Sequence, residues 1–293
     1  MAVVLVPNPR SGDATSAHPA DLAGALSPLG DVRILDSLLS PETDVMTELP
    51  RAVHDGDVVV VAGGDGSLNH VVNALRGRLD GMTFALLPAG TGNDLARTLE
   101  IPLDARAAAE QAAQWKPRAL DVGRARGGGI DRLFVNACVG GFAVEVDEVV
   151  SDDLKRLVGP AAYWVAAAKV LADLPRFDVW LNEVRVEECV AVGVGNGRMA
   201  GGGVKMWPGA NPSDGILDGC ALSVTGAGDL AKVAVALKTI GAERTGTARV
   251  VRAISVEVRA DPVVEFNVDG ELPGLHTPAA FEVAGSLTVL APP

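Results

Sequence analysis

The stretch VVVVAGGDGSLNHVVNAL, Val58 to Leu75, constrains the fold more than any other part of the chain. Four consecutive valines read as a strand buried on both faces, and the apolar spacing from Leu68 to Leu75 reads as a helix. Between them stand Gly63, Gly64, Asp65, Gly66 and Ser67. A tight turn would account for this junction. So would a loop whose backbone N–H groups approach a phosphate, because glycine permits close approach and a helix N-terminus concentrates unpaired donors. Two more junctions of the same texture favour the second account. They are Asn8-Pro9-Arg10-Ser11-Gly12 and Pro88-Ala89-Gly90-Thr91-Gly92-Asn93-Asp94, and each follows a strand-like run.

The first 120 or so residues alternate such runs with helical patterns. Strands are predicted over Ala2–Val6, Asp31–Leu35, Asp57–Val61 and Thr83–Pro88. Helices are predicted over Ala17–Leu26, Thr43–His54, Leu68–Leu75, Asn93–Glu100 and Ala105–Trp115. This alternation calls for a parallel sheet with helices on both faces and a ligand at the carboxyl ends of the strands. After ALDVGRARGGG the pattern becomes β-rich. Predicted strands there are Phe134–Val139, Asp178–Leu181, Val184–Val186, Glu188–Gly193, Gly219–Ser223, Ala253–Arg259, Val263–Val268, Ala280–Val283 and Ser286–Leu290, with helices near Val146–Ala172 and Ala227–Ile240. The fold class is therefore α/β followed by β. The boundary falls near Val122–Gly129, which gives residues 1–124 and 125–284 as the two domains.

Several classes are excluded. No G-x-G-x-x-G follows the first strand and no Walker A loop is present, so neither a Rossmann dinucleotide site nor a P-loop is expected. A net charge of −12 argues against nucleic acid as a partner. Three widely spaced cysteines (Cys138, Cys189, Cys220) fit buried thiols in a reducing cytoplasm. The N-terminus lacks a basic segment, so Ala2–Val6 reads as a strand and not a signal peptide. The longest apolar run, Leu157–Ala168, is shorter than the about 20 residues of a membrane span. His18, His54, His70 and His276 show no ligand spacing and read as surface or structural residues.

The segments NPRSG, GGDGSLNHVVNAL and LLPAGTGNDLARTL resemble the signatures of the diacylglycerol kinase catalytic-domain family, which includes bacterial lipid kinases and sphingosine kinases and is distantly related to NAD kinases. The similarity continues in order through VGNGRMAGGGVKMWPGANPSDGILDG and FNVDGELPG. It implies an N-terminal Rossmann-like nucleotide domain and a C-terminal β-sandwich, with the last strand, 285–293, returning to complete the first domain. It implies an ATP- and Mg²⁺-dependent phosphoryl transfer to a lipid hydroxyl by a cytoplasmic enzyme that meets its acceptor at the membrane surface, with room for a homodimer.

The same resemblance assigns roles. Glu271 of Asp269-Gly270-Glu271 carries over as the general base, although DGE alone reads more readily as an exposed hairpin turn. Asn8 to Gly12, Gly63 to Asn69 (including Leu68), and Gly90 to Asp94 carry over as nucleotide contacts. Asp65 either holds the nucleotide Mg²⁺ or orients its loop through backbone hydrogen bonds, and the metal is the favoured role. Asn93 and Asp94 fit capping as well as binding. In ANPSDGILDG a second, structural Mg²⁺ is implied on Asp214 and the carbonyls of Asn211 and Ile216, an Asx-turn being the alternative. Ser67 and Leu95 stand where the family has threonine and phenylalanine, and Asp36 or Ser37 stands near the adenine-side threonine. The stretch LKRLVGPAAYWVAAAKVLADLP reads as a core helix or as an interfacial one. The alternatives to a lipid kinase are a kinase of a soluble acceptor and a non-catalytic lipid- or nucleotide-binding regulator.

Overall fold

The structure is a computed structural model and describes residues 2–8, 18–36, 43–141, 175–224, 239, 241, 244 and 246–293. Strands β1 (Val3–Pro7), β2 (Val32–Ile34), β3 (Val58–Gly63) and β4 (Thr83–Pro88) pair in parallel in the order β2-β1-β3-β4. Every residue of β1 and β3 is buried, as the unbroken valine runs require of strands covered on both faces. Helices α1 (Pro19–Leu26), α2 (Val45–Ala52), α3 (Asp65–Ala74), α4 (Asp94–Thr98) and α5 (Ala105–Gln111) supply the covering layers. Their apolar residues, including Leu22, Leu49, Val71, Leu95 and Ala108, join the strands in one core.

Downstream, β5 (Lys116–Gly127), β6 (Ile130–Phe134), β7 (Ala137–Gly141), β8 (Phe177–Leu181), β9 (Val184–Gly195), β10 (Leu217–Ser223), β11 (Ala248–Ala253), β12 (Ser255–Asp261), β13 (Glu265–Val268), β14 (Glu271–His276) and β15 (Ala279–Ala291) make the β-sandwich. Phe266 and Phe281 meet edge-on in its core, with centroids 5.2 Å apart, and Phe134 packs on Phe281 at 6.3 Å. Trp207 fills a second core over Gly193 and Gly195, where a β-carbon would strike the indole.

β15 ties the halves together. It runs antiparallel to β5 from Ala279↔Gly127 to Ala291↔Lys116, and parallel to β4 at Thr288↔Thr83 and Val289↔Phe84. It also pairs with β12, so the described strands form one hydrogen-bonded sheet.

The structure corrects several expected elements. Helix α3 begins at Asp65 rather than Leu68, because Gly64 serves as its N-cap and the Gly64 carbonyl accepts the Leu68 N–H at 3.2 Å. The predicted strand Phe134–Val139 breaks at Val135–Asn136, where a buried carboxylate takes the backbone N–H groups. Val184–Val186 and Glu188–Gly193 merge into β9, with Glu188 absorbing the irregularity at φ 55°. Ala253–Arg259 divides at Ile254, Ala280–Val283 and Ser286–Leu290 join across a bulge at Gly285, and β5 occupies the stretch expected to end the first region. The helix expected over Val146–Ala172, most of that over Ala227–Ile240, Ser37, and Pro9, Arg10, Ser11 and Gly12 lie outside the described residues.

Candidate active site

Three strand ends converge. Asn8, just beyond β1, donates its side-chain amide to Ser67 Oγ at 2.8 Å and so ties the first junction to the second. The second and third junctions meet backbone to backbone. A β-carbon on Gly90 would lie 2.6 Å from Gly64 Cα, and one on Gly64 would lie 3.1 Å from Gly90 Cα. Gly90→Ala should therefore force the two loops apart and destabilise the protein by about 1–3 kcal/mol, a loss visible as a lowered Tm. An unchanged Tm would show that the loops yield freely.

Asn93 occupies the N-cap position of α4, left-handed at φ 52°, but its side chain makes no cap bond there. Its side chain closes a ring on Gly90, accepting the Gly90 N–H at 3.0 Å and donating to the Gly90 carbonyl at 2.6 Å. The cap of α4 comes from the neighbouring helix: the Asp65 carboxylate accepts the N–H groups of Asp94 at 2.9 Å and Leu95 at 3.0 Å. Burial, and next the nearby Asp94 charge, push the Asp65 carboxyl up to about 6. Asp94 in turn accepts the N–H groups of Gly202 at 2.9 Å and Gly203 at 2.6 Å. Gly202 and Gly203 have φ of 76° and 94°, which turns both N–H groups toward one carboxylate. Each acidic residue thus fastens one loop to the next, and Asp94 reaches from the α/β half into the sandwich.

Asp269 makes the second inter-half fastening. It is fully buried and accepts from the backbone N–H groups of Val135, Asn136 and Ala137 at 2.8–3.0 Å, and from Asn69 Nδ2 at 2.9 Å. Burial pushes its carboxyl above the ordinary range, and these four donors oppose the shift. Asn69 also donates to the Leu133 carbonyl at 2.8 Å and accepts from Arg132 Nε at 2.8 Å, so it works as a buried clasp between α3 and β6.

Between these elements opens a cleft of about 240 Å³ lined by Gly64, Asp65, Gly66, Thr91, Gly92 and Asp94 from one half and by Gly202, Asn267 and Asp269 from the other. The N–H groups of Asp65, Gly66 and Ser67, in the first turn of α3, have no partner within the helix. Glu271, at the start of β14, extends its carboxylate over Gly66, where a β-carbon would collide with Oε1. Leu68 faces the core instead of the cleft.

The ANPSDGILDG loop lies apart from this cleft. Asp214 Oδ1 accepts the Ile216 N–H at 3.1 Å, the Asx-turn that stood as the alternative to a metal ligand. Asp121 of β5 accepts the Gly215 N–H at 2.7 Å and donates its own N–H to the Pro212 carbonyl at 2.7 Å. Burial, and the Asp214 charge after the opposing Gly215 bond, hold the Asp121 carboxyl up. Among the described residues no group of three or more His, Cys, Asp or Glu side chains is placed to share a metal. A cation on this loop would need backbone carbonyls beside the acids.

Comparison with known proteins places the chain. Residues 2–125 match the family profile described as the diacylglycerol kinase catalytic domain, and residues 136–291 match that of the YegS C-terminal NAD kinase beta sandwich-like domain. A "Probable lipid kinase YegS-like" of Pseudomonas putida is 33% identical over 259 residues, covering 84% of this chain and 82% of the relative. The chain belongs to the YegS-like lipid kinases of the diacylglycerol kinase family. A "Diacylglycerol kinase" of Staphylococcus aureus is 29% identical over 244 residues, covering 81% and 75%. The crystal structure of a putative diacylglycerol kinase from Bacillus anthracis superposes with a TM-score of 0.74 at 25% identity, covering 100% of this chain and 95% of that one. Kinases of this family are phosphotransferases with an alcohol acceptor.

Sequence reasoning missed four participants: Asp269 as an anchor, the Gly202–Gly203 loop as the partner of Asp94, Asp121 behind Asp214, and His70 beside Glu271. Asp269 alone had a signal, since an acid directly before Gly270-Glu271 stands in the same hairpin as the candidate base. The others depend on elements far apart in the chain.

Proposed function

We propose that this YegS-like kinase transfers the γ-phosphate of ATP to a lipid hydroxyl, with diacylglycerol or a related lipid as the acceptor. The place of Glu271 carries the reading. Its carboxylate lies over the first turn of α3, the same turn whose free N–H groups and positive helix end suit a phosphate. A base is thereby held next to the phosphate that moves.

The triphosphate is held by the α3 N-terminus and by Thr91 and Gly92. The acceptor oxygen attacks γ-phosphorus, the bond to the departing ADP oxygen breaks, and the hydroxyl proton passes to Glu271. Asp65 fits a nucleotide-bound Mg²⁺ with Asp94 beside it, because each Asp65 oxygen keeps a lone pair beyond its hydrogen bond and a divalent cation offsets the burial and the Asp94 repulsion that raise the Asp65 carboxyl. When bound, the ion neutralises phosphate charge. Leu272, 55% exposed beside Glu271, offers an apolar neighbour for an acyl chain. Among the described residues no helix is long and apolar enough to cross a membrane. Because a lipid acceptor resides in the bilayer, we infer that it is met at the bilayer surface.

Asp214, with the carbonyls of Asn211 and Ile216, is assigned a structural Mg²⁺ on the same reading. Asp214→Ala should then lower Tm and remove the dependence of Tm on Mg²⁺. A Tm indifferent to both EDTA and the substitution would leave Asp214 as a turn former.

The acceptor is tested with radiolabelled ATP against a panel of lipids, with soluble polyols and NAD alongside. Label should enter an organic-phase product. Label in a soluble product would move the acceptor to a small polar molecule, and no transfer at all would leave a binding protein.

A further inference from the structure

Glu271 has a base's position but little to hold it there. Among the described residues no hydrogen bond fixes its carboxylate, which is 42% exposed on a side chain with three rotatable bonds. It also shares the α3 N-terminus with the site assigned to the triphosphate, whose charge repels it. One side chain answers both problems. His70 lies one helical turn after Gly66, and its Nδ1 is 2.8 Å from the Gly66 carbonyl and 3.9 Å from Glu271 Oε1. A carbonyl only accepts, so Nδ1 carries the hydrogen. The imidazole is thereby pinned to the helix with Nδ1 on the side of the carboxylate, in ion-pair range though not in hydrogen-bond contact. His70 is the one basic side chain within ion-pair range of Glu271 among the described residues.

We propose that His70 is a positioning residue for the proton-accepting step: pinned through Nδ1–H to Gly66, it keeps the Glu271 carboxylate over the first turn of α3 when the triphosphate occupies that turn. The assignment rests on Glu271 being the base. It concerns how the base is held, and His70 itself touches neither nucleotide nor acceptor.

Asparagine is the discriminating substitution. In the same helix Asn73 Nδ2 donates to the carbonyl of Asn69, four residues back, at 2.9 Å. His70→Asn can therefore repeat the bond to Gly66 and keep a donor edge near Glu271, whereas His70→Ala removes both. We expect His70→Ala to lower kcat about threefold to tenfold with KM for ATP unchanged, and His70→Asn to stay within about twofold of the parent. The decisive reading is a double-mutant cycle with Glu271→Gln, followed by single-turnover label transfer from ATP. If His70 acts through Glu271, adding His70→Ala to Glu271→Gln should cost nothing further, because coupled residues are not additive. Equal losses in both backgrounds, a His70→Ala enzyme as fast as the parent, or a loss confined to ATP KM would each overturn the role of His70. A Glu271→Gln enzyme with full turnover would instead remove the base itself. The two failures are thus told apart, and melting curves of each single variant separate loss of positioning from loss of folding.

Discussion

Replacing Glu271 by glutamine should lower kcat by about 10²–10⁴, the usual cost of losing a general base. Glutamine preserves shape but cannot take the acceptor's proton. The carboxylate lies over the α3 turn assigned to the triphosphate and repels it, so its loss should leave KM for ATP unchanged or lower and should not raise it. Tm should hold as well, because the carboxylate takes no hydrogen bond from the described residues and is substantially exposed. Initial rates over a range of ATP concentrations, with lipid saturating, separate the outcomes. A variant that binds ATP poorly yet turns over normally would place the base elsewhere, and Asp65 or Asp94 would then be the better candidate.

Asp65→Asn should be nearly as damaging, for a different reason. The carboxylate caps α4 through two N–H groups, and hydrogen bonds to a charged acceptor are worth about 1.5–3 kcal/mol each. An amide offers one oxygen and one NH₂, so either Asp94 or Leu95 loses its acceptor and faces a donor. Relief of the repulsion with Asp94 partly offsets the loss, and the fall in Tm should be modest. The activity loss should exceed about a hundredfold, since Asp94 and the Gly202–Gly203 loop move with the start of α4 and small displacements at a reacting centre are that costly. Melting and turnover measured together show whether this carboxylate serves the reaction or only the fold. A lowered Tm with full turnover would mean that Asp65 caps a helix and does nothing more.

The α/β half was readable because its signals are local. Unbroken valines, glycine junctions and 3.6-residue periodicity all lie within a few residues of what they specify, and Thr83–Pro88 matches β4 residue for residue. The sandwich was readable in type but not in its joints. Nothing near Val135 announces a strand break, because its cause is Asp269, more than 130 residues away in the chain. The start of α3 was displaced because Gly64, Gly66 and Ser67 have poor helix propensity, which the cap and the docking of the other loops override. At the site, residue types were legible while their partners were not. Asp94 looked like a cap for its own helix, yet its hydrogen bonds reach across the cleft, and the capping carboxylate belongs to Asp65.

The path of β15 sets a timetable for synthesis. Thr83 and Phe84 find their neighbours in Thr288 and Val289, about 205 positions later. As the polypeptide leaves the ribosome, the α/β half can stack its helices early, but the side of β4 that β15 covers stays bare until β15 has emerged. A naked parallel strand rich in leucine and alanine is a template for pairing with the wrong chain. Completion of the native sheet must therefore wait for β15, and pairings so distant in the chain make that step slow. Chaperones that shield strand edges should raise the yield of this kinase more than slower growth does.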